Sequence, residues 1–334
     1  RRKSLVGSEM CIRDSFHGGQ QAGSHGGIDA VDDFITGIGI GPGQSLVQYN
    51  FSEIPPSSLA GSVHVSTNPD CSNPNGDPIQ GVLIELVDDD GQVVASKRTD
   101  ARGHDEFRNL RPGTYTVRET QPTQYFHGGQ FAGSGGGSAA GAVLISSIQC
   151  GAGVVLVSYS FCELPPAALC GYVYQDGPAI RTSDGSVPDN LNELRDGQKT
   201  ADDTPISGVV VELRNGITGE PIMADQALPG AYADGPIRAV TDANGFYLFH
   251  SLARGNYAVY EIQPEGYIDH IDTPGTTQGL AINLPTEVDA LILQRLSAPH
   301  NNDAIILIPL AAGQTSESNN FSEVVVERTL ITLP

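Results

Sequence analysis

Tryptophan is absent from this chain of 334 residues, methionine occurs twice, and aromatic residues make up 6%. A sugar-stacking platform is therefore poorly supplied. Positive charge is equally scarce: 18 Lys and Arg stand against 39 Asp and Glu, a net charge of −21. A chain this acidic repels nucleic acid and anionic membrane, so neither is expected as a partner. No apolar run approaches the roughly 20 residues of a membrane span; the longest, 304–312, is broken by Pro309. No HExxH, P-loop or GxGxxG ahead of a helix is present, and Ser45, Ser57 and Ser58 fall in no nucleophile–base set, so no enzyme is expected. Of five cysteines, Cys71, Cys150, Cys162 and Cys170 lie beyond the first fifteen residues. Four in an acidic, β-rich chain suit an oxidising exterior but are too few to define a disulfide scaffold.

What is plentiful is turn chemistry, with 40 glycines and 22 prolines, and a long repeat. Tyr49-Asn-Phe-Ser-Glu-Ile-Pro-Pro56 recurs as Tyr159-Ser-Phe-Cys-Glu-Leu-Pro-Pro166, and a partial third copy reads Asn319-Asn-Phe-Ser-Glu323. Phe16-His-Gly-Gly-Gln20 recurs as Phe126-His-Gly-Gly-Gln130 at the same offset. A period near 110 residues is the size of a small domain rather than a solenoid unit. Period-two alternation at Leu83–Val87, Tyr115–Glu119, Val154–Phe161 and Val209–Leu213 reads as strands, separated by turn clusters such as Asp88–Gly91 and Asp242–Gly245. The expected fold is all-β, a row of seven-stranded sandwiches.

The expected boundaries follow from the repeats. Residues 1–15 resemble a translated sequencing adapter and are set aside, leaving a net charge of −23 and a natural chain expected to extend further N-terminally. Residues 16–56 are the C-terminal part of one module, 57–166 a complete module, 167–326 a second with long loop insertions, and 327–334 a tail. The insertions fall at 176–203, 216–235 and 284–302. Pro55-Pro56 and Pro165-Pro166 are expected to act as short, stiff, extended linkers.

The most informative stretch is Thr99-Asp-Ala-Arg-Gly through Glu119-Thr-Gln-Pro122, matched by Thr241-Asp-Ala-Asn-Gly through Glu261-Ile-Gln-Pro264. With Cys170-Gly-Tyr-Val-Tyr-Gln-Asp176, Pro205–Leu213 and Gln263-Pro-Glu-Gly-Tyr267, it resembles the B-type domains of Gram-positive surface adhesins. These are the serine-aspartate repeat B-like and collagen-adhesin B-type domains, with their prealbumin-like sandwich. The resemblance implies an adhesive or structural stalk of a secreted or cell-surface protein that spaces or presents a binding region. Its partners would be matrix or surface proteins, glycans and neighbouring repeats. The alternative is a carbohydrate- or protein-binding accessory module of a secreted enzyme.

Two chemistries follow from the resemblance. The Lys–Asn isopeptide bond of collagen-adhesin domains needs a lysine on the first strand, and 61–65 and 171–174 contain none. Glu119 and Glu261 stand where the family's carboxylate does and are read as strand-end residues capping backbone donors. Calcium, the second, would take Asp176, Asp184, Asp189, Asn190 and Asp203 in the last module. The middle module offers a weaker set, Ser66, Asn68, Asp70 and Asp77, with Cys71 where the family has glycine. His17 and His127 are read as surface loop residues, at a position where the last module has Asp269.

In a seven-strand sandwich six reversals leave the first and last strands running the same way. Cys71 and Cys162 should then share one pole, with Cys170 across the proline hinge and Cys150 at the far pole and unpaired. A bridge from Cys170 to Cys162 or Cys71 is expected to lock the hinge.

Overall fold

The computed structural model describes residues 15–68, 71, 76–283 and 303–329. Among these the regular secondary structure is almost entirely β, joined by turns and loops, and the helical pieces are the single turns Leu191–Leu194 and Ala224–Gln226. Two compact units divide it: the first is Arg1–Val65, Asn73–Gln121 and His127–Glu163, the second Ser66–Ser72, Pro122–Phe126 and Leu164–Pro334.

In the first unit Ser57–Val65 pairs in parallel with Val155–Leu164 and antiparallel with His104–Leu110. The facing sheet runs Leu144–Cys150, Gly113–Glu119, Leu83–Val87, Val93–Arg98. Alternation sends Leu59, Val63, Ile84, Leu86, Val117 and Phe161 into the space between the two sheets, all at most 1% exposed. Each such side chain contributes about 1.5–3 kcal/mol. The segment 16–56 adds the antiparallel pair Phe16–Gln21 and Asn50–Ile54, and the hairpin Ile28–Val31 with Phe34–Thr36.

The second unit repeats this plan. Ala167–Gln175 lies between Phe246–Leu252 and Phe321–Val324, antiparallel to the former and parallel to the latter. The facing sheet runs Arg238–Val240, Val210–Asn215, Gly255–Glu261, Ala304–Leu310, Leu280–Ala281. A smaller second core of Ala258, Tyr260, Ile282, Ala304 and Ile306 accompanies the main one. The insertion 176–203 holds Ile180–Thr182, which pairs with Val326–Arg328. Insertion 284–302 lies outside the described residues.

The repeated Thr-Asp-Ala-x-Gly stretch now has a physical reading. Asp100 Oδ1 accepts from the Arg102 and His104 amides, and Asp242 Oδ1 from those of Asn244 and Phe246, which closes each turn. Thr99 and Thr241 each bridge two backbone groups across the sheet opening, Ile79 O with Val82 N and Ile206 O with Val209 N. Glycine is required after each Asp turn: Gly103 and Gly245 have φ of +73° and +72°, and an added Cβ would lie 2.4 and 2.2 Å from a neighbouring carbonyl oxygen.

The cysteines correct one expectation. Cys71 and Cys162 are disulfide-bonded, while Cys150 and Cys170 are free, so no bridge involves Cys170. The reason lies in the parallel ladder: His64 sits opposite Cys162, and the loop bearing Cys71 departs one residue later. Cys71 has φ +52°, the left-handed region in which the family's glycine would be at ease.

Candidate functional site

Period two puts a glutamate at the inner end of two strands of the first unit, one from each of its two facing sheets. On Gly113–Glu119 the inward face is Tyr115, Val117 and Glu119, and on Val155–Leu164 it continues through Tyr159, Phe161 and Glu163. Glu119 is 3% exposed and Glu163 fully buried. The side chain of Gln121 donates from Nε2 to Glu163 Oε2. Glu163 Oε1 is left facing the ring of His127, whose Nδ1 is 3.8 Å away and whose side chain is 27% exposed.

No protein donor reaches either Glu119 oxygen. Its neighbour is the Glu163 carboxyl, with which it can hydrogen-bond only when one of the two holds a proton. Burial first, then Glu163, then Asp105 push Glu119 up to about 9. Asp105, inward on the same face as Phe107, is itself pushed up to about 6 by burial.

Two sequence expectations are corrected here. Glu119 does not cap a backbone donor, because alternation turns its side chain into the sandwich. His127 is not a plain surface residue, because its edge strand, Phe126–Phe131, hydrogen-bonds to the strand carrying Glu163. The signal available in the sequence was the exchange of His127 for an acidic residue, Asp269, in the other module.

The second unit builds the corresponding place from more carboxylates. Glu261 and Glu323 face inward, Gln263 Nε2 donates to Glu323 Oε2 at 2.6 Å, and Asp269 sits directly across from Glu323. Asp272, 2% exposed and without a donor on either oxygen, is pushed well above the carboxylate range by burial, then by Asp269, Glu261, Asp303 and Glu323. Burial, then Glu323, does the same to Glu261, and burial lifts Glu323 to about 8. Among the described residues, Glu119, His127 and Glu163 form the set whose ligand atoms all lie within 4.8 Å of one another.

Of the residues assigned to calcium in the last module, Asp176 and Asp203 come together. Asp176 Oδ2 accepts from Gly197 N at 2.8 Å, and Asp203 Oδ1 from Gly177 N at 2.9 Å. Glu193, Asp196 and Asp202, which sequence reasoning passed over, line the same depression of about 300 Å³ as Asp176. Arg195 lines it too and donates to Pro178 O, so a guanidinium already serves this loop. Asp184 is elsewhere, closing its own turn with Ser186, and Asp189 and Asn190 are exposed. In the middle module Ser66 and Asn68 bond to each other, Asp77 is exposed, and Asp70 lies outside the described residues.

The family model for the SdrD B-like domain matches residues 58–146. This stretch is similar to the B-type domains of bacterial surface proteins. Serine-aspartate repeat-containing protein D of Staphylococcus aureus (strain Newman) is 27% identical over 205 residues, 61% of this chain and 13% of the relative. Protein F of Staphylococcus epidermidis (strain ATCC 12228 / FDA PCI 1200) is 28% identical over 188 residues, 56% of this chain and 10% of the relative. The chain thus spans a small fraction of the curated relatives it matches. Among solved structures, the minor pilin GBS52 of Streptococcus agalactiae is 13% identical, covering 83% of this chain and 100% of its own, at a TM-score of 0.28. Shaft pilin spaA of Lactobacillus rhamnosus GG gives 10%, 82%, 100% and 0.32. No helix of the described residues is long and apolar enough to cross a membrane.

Proposed function

We propose that this chain is a non-catalytic stalk segment of a bacterial surface protein, whose sandwiches space or present a binding region carried elsewhere. The observation that supports it most is the SdrD B-like match over 58–146, followed after Pro165-Pro166 by a second sandwich with the same turn and ladder chemistry. The Cys71–Cys162 bridge suits an extracellular setting. Its partners would be neighbouring repeats, with matrix proteins or glycans reached through the presented region.

Small-angle scattering of the whole chain tests the spacing role. An extended particle, with no binding to glycan or matrix-protein arrays, is the expected result. A compact particle, or array binding abolished by changes in the last module's loops, would favour the accessory-module reading instead. Calcium belongs to the same proposal: Asp176 and Asp203 are its candidate ligands, and the ion would have to displace Arg195 or share the loop with it.

A further inference from the structure

The surface role uses none of the buried polar chemistry at the end of the first sandwich. We propose that Glu119, His127 and Glu163 bind one borderline transition-metal dication, for which Zn²⁺ is the probe. The donor set is two carboxylates and an imidazole, with all three ligand atoms within 4.8 Å of one another. Around a tetrahedral zinc with bonds of about 2.0–2.2 Å, ligand atoms stand roughly 3.3–3.6 Å apart. The observed 3.8 Å between His127 Nδ1 and Glu163 Oε1 needs only a small contraction.

The surroundings fit a cation better than an empty pair of acids. Glu119 is nine-tenths buried and no protein donor meets its oxygens. Glu163 is oriented by the Gln121 amide on Oε2, which leaves Oε1 for the ion. Such an outer hydrogen bond on a ligating carboxylate is what metal sites use to fix their ligands. His127, the partly exposed member, gives the ion a route in. Calcium and magnesium are poorer matches, since calcium wants about 6–8 oxygens and magnesium six near-octahedral ones, and here one of three donors is nitrogen.

The test uses the whole chain without a histidine tag, stripped with chelator and titrated with zinc against a chromophoric competitor. Cobalt supplies a spectroscopic signature, because low-symmetry coordination brings up its visible d–d bands. One zinc per chain is expected at this site. His127→Gln and Glu163→Gln should each weaken it at least about 100-fold and abolish the cobalt bands. Gln121→Ala, which leaves all three ligands, should weaken it about 10-fold. Asp269→Asn, at the matching place in the other module, should leave the affinity unchanged. Far-ultraviolet circular dichroism of each stripped variant confirms that it is folded. Binding indifferent to His127→Gln and Gln121→Ala, calcium bound as tightly as zinc, or no zinc bound by the folded wild type would each overturn the proposal. The two glutamates would then be a proton-sharing pair.

Discussion

The middle and last sandwiches place glutamates at the same two strand ends and surround them differently. In the middle one, Glu119 and Glu163 meet His127. In the last, Asp269 stands for His127, and Asp272, three residues on, for Gln130. Asp303, whose carbonyl takes the Glu261 amide as that of Val143 takes the Glu119 amide, adds a third acid. Going the other way, Tyr247 occupies the ladder position of Asp105, opposite Gly171 as Asp105 is opposite Gly61. One backbone frame thus carries a mixed nitrogen–oxygen donor set in one unit and an all-oxygen set in the other. The ladder fixes where these side chains meet, and residue type decides whether protons or cations balance their charge.

The sharpest difference between the two sandwiches is covalent. The last strand of the middle one carries a disulfide-bonded cysteine, Cys162, whereas Cys170 on the first strand of the last is free. Cys71 and Cys162 close a loop of roughly 90 residues, for which chain entropy alone gives about 4–5 kcal/mol. Calorimetry of the whole chain should show one transition falling steeply on reduction or in Cys162→Ser, and another unmoved. A uniform shift, or none, would remove the contrast.

The next contrast is in pH, with chelator present to keep metals out. A carboxyl whose pKa is raised by folding keeps its proton in the native state after the unfolded chain has lost it. Its stabilising effect is full below about pH 4.5 and lost as pH climbs to about 9 for Glu119 and about 8 for Glu323. Stability of the stripped protein should therefore decline from pH 5 to 9. Glu119→Gln should flatten that decline in the middle unit and Asp272→Asn in the last. Each should stabilise by about 1–3 kcal/mol at pH 9 and change little at pH 5. Equal effects at both pH values would mean the carboxyls are already ionised in the fold.

How much of this was legible beforehand depends on range. The sandwich, the Asp turns and the parallel first and last strands follow from periodicity and strand count, which are local or topological. The cluster does not, because Glu119, His127 and Glu163 lie on three strands and meet only through register. Alternation with Tyr115 and Val117 already pointed Glu119 inward, yet its strand-end position suggested a cap. The calcium assignment followed a loop pattern, and the loop splits: Asp176 and Asp203 turn inward to backbone amides, while Asp184 faces solvent. The expected bridge from Cys170 to Cys162 or Cys71 is not formed, because Cys71 and Cys162, which the strand count places at one pole, are the disulfide-bonded pair and Cys170 is free.

The glutamine props offer a smaller test of whether the two clusters work alike. Gln121 serves Glu163 as Gln263 serves Glu323. Removing either amide leaves a buried carboxylate oxygen without its donor, at about 1–3 kcal/mol. With zinc present, Gln121→Ala should cost more than Gln263→Ala, because it also loosens the metal. Without zinc the two costs should converge, and a gap that persists after chelation would mean the clusters differ by more than their cations.

The smallest effect expected is at Asp184, and it bears on calcium. Asp203→Asn removes the charge from an acceptor of two amides, those of Gly177 and Thr200, and should cost about 1–2 kcal/mol even in chelator. Asp184→Asn touches an exposed turn and should stay within about 0.5 kcal/mol. If calcium seats on Asp176 and Asp203, millimolar calcium should raise the last unit's melting temperature in wild type and in Asp184→Asn, but not in Asp203→Asn. Arg195→Gln should enlarge that rise, since it removes the cation competing for the loop. A calcium shift lost in Asp184→Asn would restore the larger ligand set read from the sequence, and would require the loop to refold around the ion.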